Sequence, residues 1–164
     1  DLFCRLNGDT LKNCKEAMRI DREINDLTAR TRKLAPPRFA IVFAAAAGFS
    51  IETGDTNTAY MLARLGARNI IDSDADRIPF SFEKLIYENP DVIFINTMGR
   101  TSALKDKFRN EVMSQSAWQE LKAAKTGRVY FLPADLFLYQ PGTRFPDAFR
   151  YLAERLYPDA EFEK

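Results

Sequence analysis

One apolar run limits this chain more than any other feature: Ile41-Val42-Phe43 shows no alternation of apolar and polar residues. A strand wetted on one face alternates; a strand covered on both faces does not. Further strands read at Asp91-Val92-Ile93-Phe94-Ile95-Asn96 and Val129-Tyr130-Phe131-Leu132, set between segments of helical spacing. Strands alternating with helices specify βαβ units, hence an α/β fold with a mainly parallel sheet between helix layers.

The first helix opens at Asn7-Gly8-Asp9-Thr10, with Asp9 or Thr10 as N-cap, and stops at Pro36-Pro37. Leu11, Cys14, Met18, Ile24, Leu27, Thr31 and Leu34 fall near one face of it. At 1.5 Å per residue, about 24 residues span roughly 36 Å, more than one small domain needs, so this helix is expected to brace two units. The strand Arg38 to Ala45 follows, then a loop from Ala46 to Asp55 and a helix from Thr56 to Leu65 with Gly66 at its C-cap. Asn69-Ile70-Ile71 is a short strand, and Asp72 to Pro79 a polar loop. Ser81 starts a helix that ends before Asn89-Pro90; after the strand at 91–96 comes a loop from Thr97 to Ser102. Leu104 to Met113 is helical, and Ser116 with Gln119 forms a capping box for a helix ending at Gly127. Thr143 to Leu156 is the final helix; Phe145, Phe149, Leu152 and Leu156 make its buried stripe, and Pro146 is tolerated in its first turn.

The 164 residues suit one domain with a real core. A net charge of +1 gives no general attraction to nucleic acid or membrane. Histidine is absent, which removes the commonest acid–base residue and metal ligand. No apolar run is long enough to cross a bilayer. Asp1-Leu2-Phe3-Cys4-Arg5 reads as the interior of a longer protein. Cys4 and Cys14 form either a disulfide, as an extracytoplasmic protein allows, or two free thiols near the helix start. Glycine-rich phosphate loops and the Gly-x-Ser-x-Gly elbow are missing, and without histidine no Ser–His or Cys–His nucleophile can be built.

In parallel sheets ligands bind beyond the carboxyl ends of the strands. Four segments qualify: 46–55, 72–80, 97–102 and 133–144, carrying Phe49, Glu52, Met98, Arg100, Phe137, Tyr139 and Arg144. Aromatic rings and arginine forks suit a large, flat or anionic ligand. Asp72, Asp74 and Asp76 lack the spacing and glycine of a calcium loop and read as a solvated turn. A rival reading is a small enzyme with an acid-based site at Glu52 and Asp55; another is a corrinoid- or flavodoxin-like module working alone.

Three segments, taken together, resemble one family. Glu88-Asn89-Pro90-Asp91-Val92-Ile93-Phe94-Ile95 with Thr97-Met98-Gly99 after it, the stretch Trp118 to Tyr139, and Arg144 with Phe149 to Pro158 are similar to the ABC-importer binding proteins for ferric siderophores, haem and cobalamin, the class III periplasmic binding proteins. The helix before Arg38 resembles the rigid helix that joins their two Rossmann-like lobes. The resemblance implies a three-layer C-terminal lobe at 38–164 preceded by a connecting-helix segment at 1–37, with an N-terminal lobe missing. It implies an extracytoplasmic, periplasmic or lipid-anchored, receptor and no catalytic task or cofactor. Its partners would be an ABC permease and an iron-chelate cargo, with no nucleic acid. Phe49, Met98, Arg100, Tyr139 and Arg144 would then contact cargo, and Tyr139 is the candidate iron ligand. The family's C-lobe docking glutamate falls on Glu83. Members that bind haem often use a C-lobe histidine, so its absence favours a ferric siderophore over haem, with cobalamin last. Trp118 is expected to pack on the sheet.

Overall fold

The computed structural model describes residues 11–98, 102–139 and 141–162, and of residues 11–14 the backbone alone. The expected N-cap at Asp9 or Thr10, Cys4, the Cys14 side chain and Arg100 lie outside the described residues.

The long helix, α1, runs Leu11–Thr31. Its buried side chains begin at Ile24 and Leu27, which pack with Phe149, Leu152 and Leu156 of the last helix. Met18 and Leu34, expected on the buried stripe, are exposed; Ile24, Leu27 and Thr31 are buried as expected, and Thr28 joins them. The stripe is continued only where another element lies beneath the helix, and little lies beneath its first described turns.

The sheet holds six strands among the described residues. They are β1 Arg38–Ala45, β2 Gly48–Glu52, β3 Arg68–Asn69, β4 Arg77–Pro79, β5 Val92–Thr97 and β6 Val129–Phe131. The order is β4-β2-β1-β5-β6, with β3 beside the start of β1. The pairs β1–β3, β1–β5 and β5–β6 are parallel; β1–β2 and β2–β4 are antiparallel. The parallel centre matches the sequence reading, but two segments read as loops are strands. Ala46 to Asp55 contains β2, joined to β1 by the turn Ala46-Ala47, and Asp72 to Pro79 contains β4. Phe49, Ser50 and Ile51 mix polar and apolar residues over too short a run to show a period, so their pairing with β1 decides the conformation.

Helices cover both faces. Phe39, Ile41, Val92 and Phe94 point to one layer, built from α1, α2 Asn57–Arg64, α7 Ala134–Phe137 and α8 Phe145–Leu156. Ala40, Val42, Ala44, Ile93 and Ile95 point to the other, with Leu85, Phe108, Val112, Trp118 and Leu121. That second layer comprises α3 Phe82–Glu88, α4 Ser102–Phe108 continuing as a π-turn Arg109–Met113, α5 Ser116–Gln119 and α6 Lys122–Lys125. This two-sided burial is the reason β1 and β5 do not alternate.

Local chemistry ends the helices as expected at several points. Thr56 caps α2 and Ser81 caps α3 through side-chain bonds to Ala59 N–H and Lys84 N–H. Gly66 after α2 has φ +92°, and a Cβ there would stand 3.3 Å from the Tyr157 hydroxyl, which donates to Leu65 O. The Ser116–Gln119 capping box does not form. Gln115 precedes α5 without a side-chain cap, and Gln119 Nε2 donates to Met113 O at 2.8 Å. The single helix expected from Ser116 to Gly127 is broken at Leu121, which is extended (ψ 137°) and buried.

Candidate functional site

The register of the strands defines the two edges of the sheet. At the carboxyl edge lie the Ala46-Ala47 turn, Met98 after β5, and the segment from Pro133 onward after β6. Met98 N–H donates to Ala44 O at 2.9 Å, and Leu132 N–H to Ile95 O at 2.8 Å, so these three connections leave the sheet side by side. Because β2 pairs antiparallel with β1, Glu52 lies opposite Ile41 and the chain beyond it heads for the amino edge. Likewise Ser50 opposes Pro79 and Glu52 opposes Arg77. Only Ala46 to Phe49 and Pro79 to Phe80 therefore belong to the carboxyl edge. Glu52 to Asp55 and Asp72 to Asp76 do not, which corrects half of two expected segments.

The candidates at this edge differ in what they offer. Met98 is 61% exposed and Tyr139, on the turn after α7, is 58% exposed. Phe49 is half-buried and stands edge-on to Phe108 at 5.2 Å and Phe80 at 6.3 Å, so it presents one side of its ring at most. Arg144 is exposed, with Nη1 donating to Asp135 at 3.0 Å and Nε to Asp147 at 3.2 Å. Those two carboxylates, Asp135 first, favour its charged form further still. Phe137 is core: it is buried and packs on Tyr151 at 5.5 Å.

Two cations at the edge escaped the sequence reading. Lys107 Nζ donates to Ala46 O at 3.1 Å and lies 5.6 Å over the Phe49 ring. Lys105 Nζ lies 5.7 Å over the Phe131 ring. Neither forms an ion pair among the described residues. Only the packing of α4 against the sheet places Lys107 at the turn and Lys105 over β6, though their position just after the 97–102 loop was a usable signal.

Glu52 is 1% exposed, with Oε1 3.5 Å from Arg77 Nη2 and Oε2 without a hydrogen-bond partner among the described residues, while Asp55 is exposed. One carboxylate shut in the sheet and one in solvent are not the convergent pair an acid-based site needs. Asp72, Asp74 and Asp76 are exposed, and Asp76 O accepts from Thr53 N–H. Among the described residues no three His, Cys, Asp or Glu side chains cluster for a metal. A cavity of about 430 Å³ lies at the amino edge, lined by Pro36, Pro37, Asp91, Arg128, Tyr157 and Pro158. Of its charged groups, Asp159 is exposed, while Asp91 and the outer nitrogen of Arg128 are engaged. Asp91 bonds Arg38 N–H and Lys122, and Arg128 Nη2 donates to Arg155 O and Leu156 O at the end of α8.

Glu83 is exposed in the first turn of α3 and has no ion pair among the described residues. Since α3 follows Pro79-Phe80, that turn stands at the carboxyl edge too.

Comparison with known proteins gives a consistent picture. The high-affinity heme uptake system protein IsdE of Staphylococcus aureus is 23% identical over 131 residues, 76% of this chain and 45% of that protein. The crystal structure of S. aureus IsdE complexed with heme superposes with a TM-score of 0.79 at 18% identity, covering 95% of this chain and 61% of that one. A periplasmic binding protein from Veillonella parvula superposes with a TM-score of 0.72 at 28% identity, covering 88% and 45%. The chain thus spans about half the length of the relatives it matches. The periplasmic binding protein pattern matches residues 15–136, a span that takes in all six strands of the sheet and most of α1. A match over most of the chain, on the architecture those relatives share, makes this chain a member of the periplasmic binding protein family.

Proposed function

We propose that the chain is the C-terminal lobe, with its connecting helix, of an extracytoplasmic substrate-binding protein that delivers an iron compound to an ABC permease. The observation that carries this is the family match across a chain half as long as its relatives, with exposed Met98, Tyr139 and Arg144 at one edge of the sheet. The exposed start of α1 supports the helix as the link to a second lobe. Cargo would sit between the lobes against Met98 and Tyr139, with Lys105, Lys107, Arg144 and Arg100 meeting its anionic groups and the rim of Phe49 its apolar body. Nothing in this role calls for catalysis or a resident cofactor; small lobe movements about a stiff helix would hold and release the cargo.

The absence of histidine favours a ferric siderophore, while exposed Tyr139 and the likeness to a haem protein favour haem. Absorbance titration of the complete two-lobed protein with haemin and with several ferric siderophores separates them. Binding of one class is expected, and a haem band altered by Tyr139→Phe would assign the iron ligand. Binding of neither class would remove the iron-compound reading. The isolated lobe supplies half a site, so weak or undetectable binding is expected of it; micromolar or tighter affinity would contradict the half-site claim.

A further inference from the structure

The last part of α1 lies in a cradle. Ile24, Leu27, Thr28 and Thr31 are buried, and Ile24 and Leu27 share one core with Phe149, Leu152 and Leu156 of α8. At roughly 100° per residue, Asn25 and Arg32 fall on one flank of this buried stripe and Arg30 on the other. On the first flank, Arg64 of α2 donates from Nη2 to Asn25 Oδ1 at 2.7 Å, and Arg32 Nε donates to Arg64 O at 3.2 Å. On the second, the segment after α8 crosses the helix. Arg30 Nη2 donates to Glu161 O at 2.7 Å, and its guanidinium lies 5.6 Å over the Phe162 ring. Tyr157 anchors the root of this segment, its hydroxyl donating to Leu65 O at 2.9 Å. Ahead of Glu23 the helix stands clearer of the lobe: Met18 is 62% exposed, and Arg19 pairs with Glu16 and Glu23 of its own helix. The crossing segment is also separable from the core. Arg30 is exposed, Phe162 is half-buried, and a cavity of about 200 Å³ opens between Leu27, Arg30, Pro146, Arg150 and Phe162.

We propose that residues 157–162 are a strap that sets the angle at which α1 leaves this lobe and thereby regulates the cargo cleft. This rests on the two-lobed reading above and deepens it. With the strap closed, residues 24–31 move with the lobe as one body, and bending is confined to the part of α1 ahead of Glu23. With the strap lifted, one flank of the helix is free and α1 swings on its contacts with α2 and α8. The helix is a long lever. Leu11 lies about 20 Å from Ile24 at 1.5 Å per residue, so a swing of about 10° moves it by about 3–4 Å. That is as long as a hydrogen bond, enough to part cargo from groups on a second lobe while those on this lobe stay in place.

The test compares the complete wild-type protein with the double variant Arg30→Met, Phe162→Ala, both free of cargo, with thermal melting as the control on the fold. Loss of one exposed hydrogen bond and one cation–π contact is expected to speed amide exchange of residues 25–31 about tenfold, with β5 unchanged. Arg30→Lys, which keeps a donor for Glu161 O, should fall between. Spin labels on the two lobes should report a broader distance distribution in the double variant. Unchanged exchange at residues 25–31 would overturn the strap whatever a second lobe does. Faster exchange with an unchanged distance distribution would overturn its control of the cleft. Faster exchange throughout the lobe would assign the segment to folding and likewise overturn the proposal. A complete protein with no second lobe would sink the two-lobed reading, and the regulation with it, while the exchange rates still decide whether the strap exists.

Discussion

At the residue scale, the segment Asn89-Pro90-Asp91 shows why three residues can carry so much of a fold. Asn89 takes φ +43°, a left-handed position that asparagine tolerates, and so ends α3. Its Oδ1 accepts from Lys122 N–H at 3.0 Å, which draws α6 to the head of β5. Pro90 cannot extend the helix. Asp91 accepts from Arg38 N–H at 2.8 Å and from Lys122 Nζ at 2.6 Å, tying β1, β5 and α6 together. Partial burial works against ionising this carboxyl, but the Arg38 N–H and the Lys122 ammonium outweigh it and hold its pKa below the ordinary value. A pKa lower in the folded than in the unfolded state gives stability that is full above the unfolded value and lost as pH falls through the folded one. Asp91→Asn should therefore cost about 1–2 kcal/mol at pH 7, and the deficit should shrink below about pH 4. Urea melts of both proteins at pH 7, 4 and 3 check this; a deficit independent of pH would refute the charge argument.

At the scale of elements, legibility followed the source of each element's stability. Strands buried on both faces, and helices with side-chain caps at Thr56 and Ser81, carry their signals locally and were readable. The β2 and β4 strands were not, since each is held by its neighbour rather than by its own pattern. Nor was the break at Leu121: the local spacing is helical, but the Lys122 N–H is taken by Asn89, 33 positions earlier, and Leu121 turns into the core. The β1–β2–β4 corner also hides an electrostatic dependence. Glu52 is buried with Arg77 as its one charged partner among the described residues, and Arg77 in turn lies 4.1 Å over the Phe43 ring. Removing Arg77 strands the carboxylate. Arg77→Ala should destabilise by about 2–3 kcal/mol, below the range for fully buried pairs because Arg77 is itself exposed. Adding Glu52→Gln should restore part of the loss. Chemical denaturation of the three variants decides it; a double mutant no better than Arg77→Ala would show the loss to be packing alone.

At the scale of the whole molecule, the sheet gathers Met98, Tyr139, the Arg144 loop and the first turn of α3 at one edge, although they are spread over some sixty positions of sequence. If Glu83 meets a permease arginine there, Glu83→Arg in the complete protein should cut uptake about tenfold or more while leaving cargo affinity unchanged, since like charges at a contact repel. Transport assays paired with cargo titration read the two effects apart, and unchanged uptake would remove the docking role.

The sequence by itself determined the α/β class, the parallel centre of the sheet, most helix ends and the family resemblance, because two-sided burial, caps and turn residues leave marks within a few neighbouring positions. The tertiary structure alone decided which loops share an edge, that Phe137 is core and Phe49 half-buried, that Glu52 is shut away from Asp55, that Lys107 stands beside the Ala46-Ala47 turn and that Lys105 lies over the Phe131 ring. Those facts depend on strand order and register, contacts between residues far apart in the chain, which no local pattern of side chains encodes.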